Sequence, residues 1–294
     1  MEIFGVPPQA LFGQLLIGLI NGSFYALLSL GLAVIFGLLN IINFTHGAQY
    51  MLGAFCAYLL LNKLGIGYWW SLAIAPVIIG ITGVIIERTM LSKLYKLDHL
   101  YGLLLTFGLA LIIQGLFRNE FGSSGLPYRI PEELQGAQNM GFMFLPNYRA
   151  WVIVVSLVVC LGTWYVFERT KLGAYLRAAT ENPQLVQAFG INVPRMITLT
   201  YGFGVALAAF AGVMAAPIYQ VNPLMGADLI IVVFAVVVIG GMGSIIGAIV
   251  TGFGLGIIEG LTKVFYPEAS NTVIFIIMAI VLMFKPAGLF GTQK

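Results

Sequence analysis

Asn43, Thr45, His46 and Gln49 fall within seven positions, in the stretch NFTHGAQ, between two long apolar runs. A polar group in apolar surroundings costs free energy unless it finds a partner. Two readings provide one. In the first, Asn40, Asn43, Thr45 and His46 satisfy backbone at a helix end, with Thr45 as the N-cap of the helix that follows. In the second they line a watery passage. His46 has no ligand set at metal-binding spacing. Asn21 and Tyr25 stand four apart on one helix face, where they either bond a neighbouring helix or line the same path. Gly240, Gly241 and Gly243 in IGGMGSIIG form either a tight interhelical turn or a flexible, backbone-lined constriction. Asp228 and Glu259 are the acids expected at membrane depth: Asp228 at the outer start of a span, Glu259 near the outer end of another. Catalysis needs converging acid, base or metal groups. The two histidines stand apart and most acids sit at loop ends, so no enzyme is expected. No GxxxxGK[ST] phosphate cradle occurs, so no nucleotide site or cofactor is expected in this chain.

The elements that must position these residues follow from composition. The chain has 294 residues, 60% hydrophobic and 9% charged, whereas about a quarter of the residues in soluble domains are charged. So much apolar surface requires lipid as solvent, and the 36 glycines suit close helix packing there. The expected fold is an all-α polytopic transmembrane bundle, one transmembrane domain over residues 1–294. Apolar runs at 10–39, 47–62, 69–86, 101–118, 149–167, 197–217, 227–240, 244–263 and 272–286 predict about nine spans, eight to ten allowed, with broken helices. The first run is long enough for a helix with a broken end or for two segments. Continuous rather than alternating runs argue against sheet. The net charge of +3 and the absence of a basic aromatic patch exclude nucleic acid as a partner. Cys56 and Cys160 sit inside apolar runs as packing residues. The N-terminus lacks a basic n-region and a small-residue cleavage site, so the first run is expected to be retained.

Loop charges orient the chain. Arg88, Lys93, Lys96, Arg169, Lys171, Arg177, Arg195, Lys285 and Lys294 fall on one side, which is then cytoplasmic. The N-terminus is expected outside and the C-terminus inside, in a cytoplasmic (inner) membrane. Residues 119–148 form an outside loop. Residues 40–47 lie near the inner surface, which favours capping for the 43–46 group. A faint internal similarity links LLNIINFTHGAQYMLGAF to VVVIGGMGSIIGAIVTGF: each is apolar, breaks at small or polar residues, then resumes. Paired interruptions of this kind point toward a transport pathway.

The largest inside loop holds GAYLRAATENPQLVQAFGINVPRM, 173 to 196. Asn182 can cap a helix, Pro183 suits its first position, and Gly190 suits a left-handed C-terminal cap. QLVQAF between them predicts about two helical turns. So short a helix is marginal in water and needs a surface to hold it. That surface is its own bundle, the membrane, or a cytoplasmic partner whose groove takes its apolar side. LRAAT either continues the preceding span or forms a helix of its own.

Arg169, Thr170, Gly173, Arg177, Ala178, Asn182 and Gly190-Ile191-Asn192-Val193 follow the pattern RTxxGxxxRAxxxNxxxxxxxGINV. It resembles the cytoplasmic loop of the branched-chain amino acid ABC permeases of the LivH type. NGSFYALLSLGLAVIFGLLNIINFTHG, LLLTFGLALIIQ, FAVVVIGGMGSIIGA and KPAGLFG extend the resemblance over nearly the whole chain. Thr45 and Ile246 depart from it, where that family often has Ala and Pro. The resemblance implies the permease subunit of a binding-protein-dependent importer. Its implied partners are a second homologous permease subunit, two cytoplasmic ATPase subunits that bind the ATP, an extracytoplasmic solute-binding protein and membrane lipid. It also implies that Gly173, Arg177, Ala178, Glu181, Asn182, Pro183, Leu185, Phe189 and Gly190 belong to the region touching an ATPase. A mainly apolar passage with a few dipoles suits branched-chain amino acids. Urea or short amides, or an ion-coupled secondary transporter, are the alternative readings.

Overall fold

A segment apolar on every side has no soluble face and must be buried in protein or lipid. In the computed structural model, which describes residues 6–39, 43–95, 97–141 and 143–291, every apolar run lies on an α-helix. Asn40, Lys96 and Lys294 lie outside the described residues. The described chain has α1 (Pro8–Leu39), α2 (Thr45–Leu64), α3 (Tyr68–Thr89), α4 (His99–Phe121), α5 (Asn147–Arg169), α6 (Lys171–Glu181), α7 (Pro183–Ala188), α8 (Val193–Tyr219), α9 (Met225–Gly240), α10 (Ile245–Phe265) and α11 (Val273–Phe284). Six of them, α1, α3, α4, α5, α8 and α10, are long and apolar enough to cross a membrane. Helices α9 and α11 are apolar but shorter, at 16 and 12 residues. Helix α2 has 20 residues but carries Thr45, His46 and Gln49 among its first five. The chain is a polytopic helical membrane protein.

The first run is one continuous helix of 32 residues, not two segments. At ~1.5 Å per residue it is about 48 Å long, well beyond a hydrocarbon core of about 30 Å. It sits at the centre of the bundle and packs antiparallel on α10 through small residues. Gly18 and Gly22 meet Gly256, and Ala26 meets Gly252. These positions are four apart on both helices, so they share one face and let the backbones touch. Helix α8 likewise meets α2, where Gly53 abuts the Ala209 backbone. Helices α3, α4 and α5 lie outside this core and turn apolar side chains outward, among them Trp70, Leu116 and Val158.

A small sheet does exist, outside the apolar runs. Strands β1 (Ala137–Asn139) and β2 (Phe144–Pro146) pair antiparallel with Gln138 opposite Leu145. Gly141 in the turn takes φ +84, a conformation other residues rarely adopt. Leu126 pairs with Val221 and ties this long link to the α8–α9 junction.

The other end of the bundle collects the basic segments. Gly37, near the end of α1, touches Gly243 in the α9–α10 turn. The Leu289 and Phe290 N–H groups donate to the Ile239 and Gly240 carbonyls. Leu176 and Arg177 line a groove with Gly37 and Gly243. Thr198 at the start of α8 donates to Glu87 at the end of α3. Arg88, Arg169, Lys171, Arg177, Arg195 and Lys285 therefore share one end. Thr170 is extended, so α6 is a helix separate from the span before it.

Candidate functional site

The polar interruption at 43–49 packs inside the bundle: Asn43, Thr45, His46 and Gln49 are all buried. Thr45 is not the N-cap expected from its type. It is the first helical residue, Phe44 holds the cap position, and no side chain caps there. The Thr45 hydroxyl instead donates to the Thr106 carbonyl of α4 at 2.8 Å, and the Phe44 N–H donates to the Thr106 hydroxyl. A hydroxyl from a neighbouring helix thus does what a local cap would have done. His46 Nε2 bonds the Leu28 carbonyl of α1 at 3.0 Å, and Asn43 donates to Gln49. The group joins α1, α2 and α4. Asn43 Oδ1, His46 Nδ1 and Gln49 Nε2 have no partner at hydrogen-bond geometry among the described residues.

Asn21 and Tyr25 do share a face, and both reach Glu259 of α10. The Asn21 amide donates to Oε1 at 3.3 Å and the Tyr25 hydroxyl to Oε2 at 2.7 Å. Lys263, one turn on, closes an ion pair with the same carboxylate. Tyr219 of α8 donates to Asn21 Oδ1 at 2.6 Å. Asn21 and Tyr25 thus bond a neighbouring helix, and they also line a cavity of about 250 Å³ with Tyr50, Tyr219 and Asp228. Asp228 lies in the first turn of α9, as its position in the run indicated. The partner role of Glu259 was hidden by its distance along the chain; its i, i+4 spacing to Lys263 was the visible signal.

Gly240, Gly241 and Gly243 form the tight α9–α10 turn. Gly241 and Gly243 have φ of +102 and +84, and a side chain at Gly240 would strike Gly247 and Thr251 of α10. Across the same end, Glu87 is buried and accepts from Tyr95 and Thr198, a tie with no motif in the sequence. Burial first, then the bond to Glu87, holds the Tyr95 phenol well above its ordinary pKa.

At the basic end the 173–190 segment folds as two helices. Gly173, Leu176 and Ala179 are the buried side of α6, and a Cβ at Gly173 would strike the Phe167 carbonyl. Arg177 donates to that carbonyl at 2.8 Å and pairs with Glu168, so its guanidinium closes the end of α5. Ala178 and Glu181 are exposed. Asn182 accepts the Leu185 N–H at 2.9 Å, Pro183 begins α7, and Gly190 takes φ +83 after it. Only Val186 of α7 is buried; Leu185 is 54% and Phe189 78% exposed. Among the described residues no group of three or more His, Cys, Asp or Glu is placed to hold a metal.

A multi-pass helical bundle with buried polar clusters and an exposed apolar pair, Leu185 and Phe189, at its basic end has the build of a membrane permease. Residues 14–282 match the family described as branched-chain amino acid transport system / permease component, and the chain belongs to that family. It is similar to the high-affinity branched-chain amino acid transport system permease protein BraD of Pseudomonas aeruginosa, 31% identical over 96% of each chain. Similarity to LivH of Escherichia coli, a permease protein of the same kind of system, is 30% over 96% of each chain. LivM of Escherichia coli is 27% identical over 92% of this chain and 68% of its own length. No solved structure matches the chain. The protein is a transport permease and not an enzyme.

Proposed function

We propose that the chain imports branched-chain amino acids as the permease subunit of a complex driven by separate ATPase subunits. Similarity over nearly full length to permeases named for that substrate supports this. Helices α1 to α5 and α8 to α11 make nine crossings of the cytoplasmic membrane, with the N-terminus outside and the basic end in the cytoplasm. A second, homologous permease completes the passage; similarity to LivM fits such a pairing. Two ATPase subunits bind the ATP, so this chain needs no cofactor of its own, and a solute-binding protein docks at the opposite end. Asn21, Tyr25, Asn43, Thr45 and His46 contribute to the passage, and Gly240, Gly241 and Gly243 bend beside it.

The observation that carries the coupling role is α7. Val186 anchors it to the bundle while Leu185 and Phe189 stay exposed at the basic end. Gly173, Arg177, Ala178, Glu181, Asn182, Pro183 and Gly190 shape and position that grip. Proteoliposomes holding the complete complex should take up labelled leucine only with ATP on the ATPase side and binding protein on the other, without competition from urea. Uptake driven by a proton or sodium gradient without nucleotide overturns the proposal. Deleting residues 184–189 should abolish co-purification of the ATPase while membrane insertion persists; retained assembly overturns the coupling assignment.

A further inference from the structure

The cavity between α1, α2 and the α8–α9 junction has polar groups that the fold leaves unused. Six polar side chains line it: Asn21, Tyr25, Tyr50, Tyr219, Asn222 and Asp228. Three are spent. Tyr25 donates to Glu259, Tyr219 donates to Asn21, and Asn21 gives its amide to Glu259. The other three are not. The Tyr50 hydroxyl is fully buried and has no hydrogen-bond partner among the described residues. Among the described residues the Asn222 side chain bonds through its oxygen alone, which accepts the Leu224 N–H. Asp228 is exposed at the cavity and forms none of the ion pairs of the described chain. What remains is one carboxylate, one phenolic donor and one amide donor, beside the apolar wall of Phe24, Met225 and Leu229.

Each remainder calls for a different part of one ligand. A carboxylate without a counterion attracts an ammonium. Donors without acceptors attract a carboxylate, which forms stronger hydrogen bonds than a neutral group. An apolar wall attracts hydrocarbon. The cavity, of about 250 Å³, has room for roughly eight waters at about 30 Å³ each, the scale of a small amino acid. A neutral amide such as urea would leave Asp228 without a counterion and the apolar wall without a partner.

We propose that this cavity is a transit site for a zwitterionic α-amino acid. Asp228 holds the ammonium, Tyr50 and Asn222 donate to the carboxylate, and Phe24, Met225 and Leu229 receive the branched side chain. The assignment rests on the importer reading above and adds the residues that recognise its cargo.

The test uses the complete complex in proteoliposomes, with labelled leucine for uptake and a diazirine analogue of leucine for photolabelling. The label should appear on peptides holding Phe24 or Met225–Leu229 and be displaced by excess leucine. Asp228→Asn should lower leucine uptake and labelling about tenfold or more, the loss expected for a charge-assisted bond, and Asp228→Glu should restore part of both. Tyr50→Phe should lower uptake severalfold without lowering the melting temperature of the complex, because the hydroxyl it removes bonds nothing in the empty chain. A structural tyrosine would lose stability instead, and a lowered melting temperature in Tyr50→Phe overturns its role. Wild-type import with both variants within twofold of it overturns the site and leaves the importer standing. A wild-type complex that does not import leucine overturns both.

Discussion

Glu259 and Lys263 form an ion pair in which the two members are unequally buried. The carboxylate side chain is 8% exposed and the lysine side chain 29%. Breaking a buried pair is costly mainly because of the charge left behind, and the figure reaches about 3–5 kcal/mol for a fully buried one. Lysine has a flexible stem and can carry its ammonium toward the membrane surface. The carboxylate cannot move away: Asn21 and Tyr25 hold it from α1. Lys263→Met should therefore destabilise the protein by roughly 2–3 kcal/mol, since it strands the carboxylate. Glu259→Met should cost about 1 kcal/mol, the scale of lost interhelical hydrogen bonds in a membrane. The double substitution should recover most of the loss, because it leaves no charge behind. Thermal unfolding of the purified protein in detergent gives the order directly. If Glu259→Met proves the worse single change, lysine is the trapped charge and the argument is reversed.

Between α1 and α10 the decisive feature is the spacing of small residues, because it sets how closely the helices approach. A Cβ at Gly256 would run into the Gly18 carbonyl and the Gly22 backbone, whereas one at Gly254 meets nothing. Gly256→Ala should cost about 1–3 kcal/mol through overpacking, and Gly254→Ala, in the same helix, should be neutral or slightly stabilising through propensity. Equal melting temperatures for the two variants would rule out the close contact. This interface also shows what the sequence discloses and what it withholds. Gly252, Gly256 and Gly260 reveal a packing face by their spacing, but nothing local says that α1 occupies it. Asn21 and Tyr25 read correctly as one face for the same reason, while their acceptor lies more than two hundred residues away. Asn182, Pro183 and Gly190 were legible because helix caps act over three or four residues. Thr45 was misread because its bond went to Thr106 of α4 and not to its own helix. Strands β1 and β2 are three residues each, too short to show alternation.

At the scale of the whole molecule, the placement of charge and the placement of α7 depend on one another. The end that gathers Arg88, Arg169, Lys171, Arg177 and Arg195 is also the end where Leu185 and Phe189 stand exposed. Cationic loops tend to stay in the cytoplasm during insertion, so the proposed orientation puts Leu185 and Phe189 on the side where the proposed ATPase subunits bind. The opposite end carries Glu132 and Glu133 in a short helical turn and the exposed β1–β2 ribbon. That end is where the solute-binding protein is proposed to dock. Cysteine labelling tests the arrangement. Cys160 is buried and Cys56 half-buried, so replacing both with alanine should leave a folded background. In intact cells a membrane-impermeant maleimide should then label Glu133→Cys and spare Phe189→Cys. Lysis should make Phe189→Cys reactive, because that position is 78% exposed. Labelling of Phe189→Cys before lysis would place α7 outside the cell, and with it the coupling role fails.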